Sequence, residues 1–153
     1  MNFHLWVKFV HILSATVLFG TGMGTAFFML KAYLSQNDEA MRVTTRNVVL
    51  ADWVFTTPAV VIQLVTGLWL TRKLNIDFGS SWFITVIALY VVVGLCWIPV
   101  VLIQIRIRNL TAQRSGRGAY KNLMRIWILL GIPAFSSVLV IFFLMVSKLG
   151  AYG

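Results

Sequence analysis

Four long stretches of apolar residues alternate with shorter polar segments along the chain. The apolar stretches cover about residues 5–30, 49–70, 82–104 and 126–146. Each is long enough for a helix to cross the hydrocarbon core of a bilayer, which takes roughly 20 apolar residues. The pattern predicts an all-α polytopic membrane protein, a bundle of four transmembrane helices that forms a single membrane domain over residues 1–153.

Three prolines fall inside these predicted spans: Pro58, Pro99 and Pro133. In the interior of a soluble helix, each would cost about 3 kcal/mol or more. Bundled membrane helices tolerate proline because neighbouring helices and hydroxyl side chains re-satisfy the freed carbonyls. We therefore expect kinks at these positions and not helix ends.

The composition agrees with a membrane protein. Of the 153 residues, 59% are hydrophobic and 11% are charged, whereas soluble domains carry about 25% charged residues. The acidic residues are only Asp38, Glu39, Asp52 and Asp77, too few to help solvate a globule. The apolar surface must therefore face the lipid bilayer.

The Lys and Arg residues that give the net charge of +9 lie mostly between the predicted spans and do not form a separate basic face. Nine of the thirteen Lys and Arg residues lie in segments 31–48 and 105–125, and four lie on the opposite side. The positive-inside rule then places the first and third loops in the cytoplasm and both termini outside. A nucleic-acid partner is excluded, because it would require a folded basic surface. We expect the first span to be retained, since its cleavage as a signal peptide would leave an odd number of spans.

Polar residues inside a membrane are candidates for function because they are costly to bury there. His11 lies inside the first span, on the same helical face as His4 and Lys8. The two imidazoles are about 10 Å apart along the helix axis, so they cannot bind one metal ion together or supply both axial ligands of one haem. A bis-histidine haem would need a second subunit, since the chain has no other histidine.

Counting residues from the outer edge of the membrane places Gln63, Thr66 and Tyr90 at the depth of His11. These three side chains are the predicted hydrogen-bond partners of the imidazole. Two interpretations stay open at this point. His11 is either a structural residue that fastens the bundle, or an axial ligand of haem b with Gln63, Thr66 and Tyr90 around it. No metal-ion site is predicted.

Asp52 and a group of glycines are the other intramembrane features. Asp52 lies about one turn inside the second span, at the level of Arg125 and close to Arg106, so we expect a structural ion pair with one of them. A proton-relay carboxylate is the alternative role. Gly20, Gly22 and Gly24 follow His11 on the first helix; they predict close helix packing, with room for a flat cofactor as the alternative.

Several segments resemble a known family. The run LWVKFVHILSATVLFGTG resembles the first helix of small bacterial membrane families in which a K-x-x-H pattern precedes a glycine-rich stretch. Together with TPAVVIQLVTGLWL, SSWFITVIALY and LLGIPAFSSVLVIFFLMVSK, it is similar to the domain-of-unknown-function 2269 (DUF2269) family of predicted integral membrane proteins. This resemblance covers most of the chain and implies an integral membrane fold. It also implies a bacterial inner membrane, in which case both termini are expected in the periplasm.

The same features are remotely similar to the haem-binding membrane protoporphyrinogen oxidases and to the copper-resistance D-type proteins. In the oxidases, a first-helix His serves haem binding and activity together with a third-helix Lys. His11 matches the former, but residues 82–104 contain no Lys, and the PR element that follows the first-helix glycines is missing.

Three functions are consistent with these observations. The first is membrane redox chemistry with haem b, or another redox partner, at His11. The second is an accessory or scaffold subunit, as a homo-oligomer or within a larger membrane complex. The third is a small-molecule or metal-ion transporter with a path lined by Asp52, Gln63, Gln104 and His11. These observations do not decide whether the protein is an enzyme.

Overall fold

The computed structural model describes residues 2–150, and the side chains of residues 2–147. Within this part the chain is helical and contains no strand. Four of its helices are long and apolar enough to cross a membrane, which confirms the predicted all-α fold. In chain order the elements are α1 (Phe3–Leu34), α2 (Asp38–Ala51), a π-helical turn (Asp52–Thr56), α3 (Thr57–Lys73), α4 (Ser81–Ala112), a 3₁₀ turn (Arg117–Ala119) and α5 (Lys121–Gly150).

The first connection is much shorter than the polar segment 31–48 suggested. Helix α1 continues to Leu34, and α2 begins at Asp38 after a tight turn in which Gln36 has a φ of 57°. The Asn37 side chain caps α2 by accepting the backbone N–H groups of Glu39 and Ala40, which satisfies two donors that a helix start leaves free. The polarity of this segment therefore marks a helix beyond the apolar span, not a loop.

Helix α2, the π-helical turn and α3 follow one another without a break and form the second spanning helix, Asp38–Lys73. The backbone N–H of Thr57 bonds to the carbonyl of Asp52, five residues back. Pro58 explains the wide turn, because proline lacks an N–H and its ring crowds the carbonyl four residues earlier. Pro99 and Pro133 lie inside α4 and α5, which continue through them. As predicted, none of the prolines ends its spanning helix.

The helices associate as two pairs joined at one end. Helix α1 packs along α3, α4 packs along α5, and α2 contacts both α1 and α4. Around α2 lies the main hydrophobic core, which we call the closed end. Its buried side chains are Met29, Ala32, Met41, Val48, Ile107, Tyr120, Met124 and Trp127.

Polar contacts also connect the helices at the closed end. Tyr120 donates a hydrogen bond to Asp38 at 3.0 Å, which links the start of α5 to α2. The Arg117 guanidinium lies 4.6 Å from the ring centre of Tyr33 on α1. Because α1, α2, α4 and α5 all meet here, the third loop is held against the bundle.

Beyond the closed end, the two pairs face each other across a cleft, and we call this region the split half. Phe19 of α1 bridges it, with its ring centre 5.1 Å from that of Phe135 and 5.5 Å from that of Phe142 on α5. The Tyr90 hydroxyl of α4 donates to the Val60 carbonyl of α3 at 2.8 Å. These few contacts leave space between the pairs.

Candidate functional site

A polar network in the split half joins α1 to α3. We call it the His11 cluster, and its members are His11, Ser14, Gln63 and Thr66. His11 Nδ1 lies 2.8 Å from the Thr66 hydroxyl, and His11 Nε2 lies 3.1 Å from Gln63 Nε2. Ser14 donates to Gln63 Oε1 at 2.6 Å, and Thr66 donates to the carbonyl of Ile62 at 2.5 Å.

Hydrogen-bond chemistry assigns the tautomer of His11. An amide nitrogen only donates, so Nε2 of His11 accepts from Gln63 and Nδ1–H donates to Thr66. A neutral imidazole thus has both ring nitrogens satisfied. The predicted hydrogen bonds of His11 to Gln63 and Thr66 are confirmed, whereas the predicted bond to Tyr90 is wrong. Counting depth placed Tyr90 at the right level, but its hydroxyl is directed to the Val60 carbonyl.

The surroundings of His11 do not fit a haem. An axial histidine must offer a ring nitrogen to the iron, and both nitrogens of His11 are engaged by α3. The edge of the ring that carries both nitrogens also faces that helix closely, because a Cβ placed at Gly67 would be only 3.2 Å from His11 Cε1. His11 lines neither of the two cavities described below.

The other histidine gives no metal site. His4 lies beside Trp69, with 6.3 Å between the ring centres, near the start of α1. Among the residues that the structure describes, no group of three or more His, Cys, Asp or Glu side chains could hold a metal ion.

A second polar network lies where the closed end meets the split half. We call it the Asp52 cluster, and its members are Asp52, Thr56, Gln104 and Trp127. The Thr56 hydroxyl donates to Asp52 Oδ1 at 2.8 Å. Gln104, with its amide oriented to suit both neighbours, donates from Nε2 to Asp52 Oδ2 at 2.6 Å and accepts from Trp127 Nε1 at 3.3 Å.

The Trp127 indole fixes this arrangement, since its N–H can only donate. The Gln104 carbonyl must therefore face Trp127, which turns the amide NH₂ toward the carboxyl of Asp52. The cluster connects the second spanning helix with α4 and α5. Asp52 is 4% exposed, so these neutral donors replace most of its contact with water.

The predicted ion pair of Asp52 is wrong. The salt bridge found in the described part of the chain joins Arg42 to Glu39, and the partners of Asp52 are neutral. The helical repeat explains the difference. Arg106 lies two residues after Gln104, and Arg125 lies two residues before Trp127. Two residues correspond to a rotation of about 200° around the helix. Both arginines therefore lie on a different face from the cluster, and both are exposed.

The Asp52 cluster forms one end of a cavity of about 530 Å³ between the two helix pairs. Side chains of α1, the π-helical turn, α4 and α5 line it. The walls are mainly apolar, with the aromatic residues Phe19, Phe27, Trp97, Trp127 and Phe135. A second cavity of about 90 Å³ lies alongside and is lined by Thr56, Gln63 and Tyr90 among others. Of the proposed transport path, Asp52, Gln104 and Gln63 reach these cavities and His11 does not.

The first-helix glycines do not pack closely against another helix. A Cβ placed at Gly20, Gly22 or Gly24 would meet nothing within 4 Å, so the prediction of close packing is wrong for this bundle. Gly22 lines the larger cavity. Its missing side chain contributes to the open space beside α5.

Sequence analysis missed the Asp52 cluster as a site. It named Asp52 and Gln104 separately, did not consider Thr56, and interpreted Trp127 only as an interfacial residue at a span end. A usable signal was present in Asp52, Thr56 and Pro58. A carboxyl and a hydroxyl four residues apart, just before a proline, indicate a side-chain pair on a turn that the proline distorts.

Comparisons with known proteins give one family. A family model described as "Predicted integral membrane protein (DUF2269)" matches residues 5–149. No curated protein and no solved structure matches the chain. Since the match covers nearly all of the sequence, the chain belongs to the DUF2269 family of predicted integral membrane proteins.

Proposed function

We propose that this protein binds a lipophilic small molecule in the cleft between its two helix pairs, with the Asp52 cluster at the polar end of the site. The observation that carries the proposal is the cavity of about 530 Å³ with a buried carboxyl at one end. Pockets for small molecules typically measure about 300–1,000 Å³ and combine apolar walls with a few polar groups. Both properties are present here.

The position of the cavity suits a ligand that arrives through the lipid. From Asp52 to Lys73, at the far end of the second spanning helix, is about 31 Å along the axis. This length equals the hydrocarbon thickness of a bilayer, so Asp52 lies close to one face of the hydrocarbon layer. Phe27 and Ile132, which line the cavity, are 58% and 61% exposed, and the cleft is therefore accessible from the side.

The charge distribution supports an orientation for the site. The basic side chains of loops one and three, with the helix ends beside them, flank the closed end, and the positive-inside rule directs such a surface to the cytoplasm. In this orientation both termini lie outside a bacterial inner membrane, and Asp52 lies near the cytoplasmic face. The Lys148 side chain, one of the four outer cations, falls outside the described residues.

Cysteine labelling tests the orientation. In a Cys96→Ala background, Asn75→Cys and Ser115→Cys place one thiol in the second and third loops. A membrane-impermeant maleimide added to intact cells should label the Asn75→Cys protein and spare the Ser115→Cys protein until the cells are lysed. The reverse pattern would overturn the orientation but not the cavity.

Binding is tested with a neutral aromatic probe, triphenylphosphine oxide, and protein in lipid nanodiscs. Equilibrium dialysis against empty nanodiscs removes the contribution of simple partitioning. We expect saturable binding to the wild type and at least a tenfold loss in Gly22→Leu, because this side chain fills the cavity. Gly20→Leu is the matched control, since it makes the same change on the same helix outside the cavity lining. Equal binding by both variants would refute the proposal, as would the absence of saturable binding to the wild type both of this probe and of charged probes of similar shape.

A further inference from the structure

The charge inventory of the cavity points to a class of ligand. We infer that the bound molecule is a lipophilic cation whose positive charge lies against Asp52. This inference rests on the proposed function and deepens it.

Among the described side chains that line the larger cavity, Asp52 is the only one that can carry a formal charge. The chain has thirteen Lys and Arg residues and a net charge of +9, yet none of the lysine, arginine and histidine side chains that the structure describes lines this cavity. The basic side chains flank the closed end instead. The cavity is therefore acidic although the protein as a whole is strongly basic.

The carboxyl of Asp52 has capacity left for a ligand. A carboxylate offers about four lone-pair sites, and Thr56 and Gln104 occupy one on each oxygen. Two neutral donors lower the cost of burying the charge but do not cancel it. A cation in the cavity would supply the missing opposite charge, and no other group at the site can do so.

The aromatic walls suit the same class of ligand. Trp127 on α5 lies next to Gln104, and Trp97 lies about two turns from Gln104 on α4. Phe19 and Phe135 also line the cavity and stack on each other. The faces of aromatic rings attract cations, most strongly where water is excluded. Residues with neutral hydrogen-bond donors, such as Trp97 and Ser136, also line the cavity, so charge and not hydrogen bonding distinguishes the ligand class.

Three probes of similar shape and different charge separate the outcomes. Tetraphenylphosphonium is a cation, tetraphenylborate is an anion, and triphenylphosphine oxide is neutral. In the nanodisc dialysis assay, we expect the cation to bind the wild type at least tenfold more tightly than either of the other two. This order is opposite to the one that the net charge of +9 would impose on non-specific binding.

The role of Asp52 is tested with a matched pair of amide substitutions. Asp52→Asn should weaken binding of tetraphenylphosphonium at least tenfold and change binding of the neutral probe less than twofold. Asp77→Asn removes the same charge from the exposed second loop and should leave both affinities unchanged. The neutral probe also reports whether Asp52→Asn still folds with its cavity intact.

The two proposals fail in different ways. If the cation, the anion and the neutral probe bind alike and all are sensitive to Gly22→Leu, the cavity is a ligand site and the charge inference is wrong. The inference is also wrong if tetraphenylborate binds best. If no probe binds saturably, the proposed function itself fails, and bilayer lipid is the occupant of the cleft.

Discussion

The closed end and the split half of this bundle are built from similar residues but differ in how closely their helices pack. At the closed end, Met29, Met41, Ile107 and Met124 are fully buried, and α2 fills the space between α1 and α4. In the split half, no helix lies between the pairs. The same four spans therefore make a packed core at one end and a cleft at the other.

The polar clusters follow this division. The His11 cluster connects the two helices of one pair and lines only the smaller cavity, through Gln63. The Asp52 cluster connects the two pairs where they separate and lines the larger cavity. Two polar clusters inside a membrane can thus have different roles. The members of the His11 cluster bond mainly to one another, whereas the Asp52 cluster borders a cavity that a ligand can enter.

The largest expected effect is in the closed end. Ile107→Ala removes a fully buried side chain and should lower the free energy of unfolding by about 3 kcal/mol, since core truncations leave a cavity that relaxes only in part. Denaturant titration in detergent measures the change. Leu139→Ala in the split half is the control, because Leu139 is 45% exposed to lipid and its loss should cost less than about 1 kcal/mol. Similar losses in both variants would contradict the division of the bundle.

The second prediction compares the two polar clusters directly. Gln104→Leu should destabilise the protein by about 2 kcal/mol, because it leaves a buried carboxyl oxygen and the Trp127 N–H without partners. Gln63→Leu should cost about 0.6 kcal/mol, a typical value for a hydrogen bond between membrane helices, since His11 keeps Thr66. Both can be measured in one detergent titration series. A larger effect of Gln63→Leu would make the His11 cluster the more important connection.

Much of this fold could be predicted from the sequence, and the reason is physical. Bilayer thickness fixes the length of an apolar span, so the four apolar stretches within residues 5–146 were enough to predict four helices. Depth counting also found Gln63 and Thr66, because both lie on the helix that packs against α1. It failed for Tyr90 and for the ion pair of Asp52, because which way a side chain points depends on helix rotation. The cleft was not predictable, since it depends on which helices pair.

The third prediction concerns alkaline pH at the closed end. Burial, and then the hydrogen bond to Asp38, raise the pKa of Tyr120 from 10.0 to about 12. The folded state therefore favours the neutral phenol, and its contribution is complete below pH 10 and is lost as the pH rises through about 12. Tyr120→Phe should reduce stability by about 1 kcal/mol at neutral pH and flatten its decline above pH 10. Thermal unfolding between pH 8 and about pH 11.5 compares the two proteins; an unchanged slope would contradict the prediction.

The last prediction is that haem b does not bind at His11. It tests whether Gln63 and Thr66 keep the imidazole from binding a ligand. Purified protein incubated with haem b should show no Soret band that depends on His11, so the spectra of wild type and His11→Ala should coincide in both the oxidised and the dithionite-reduced state. The reason is that Gln63 and Thr66 hold both ring nitrogens, and α3 covers the ring at Gly67. A Soret band lost in His11→Ala would mean that Gln63 or Thr66 releases the imidazole. The split half would then contain two ligand sites, and the contrast between a closed histidine and an open carboxyl would no longer hold.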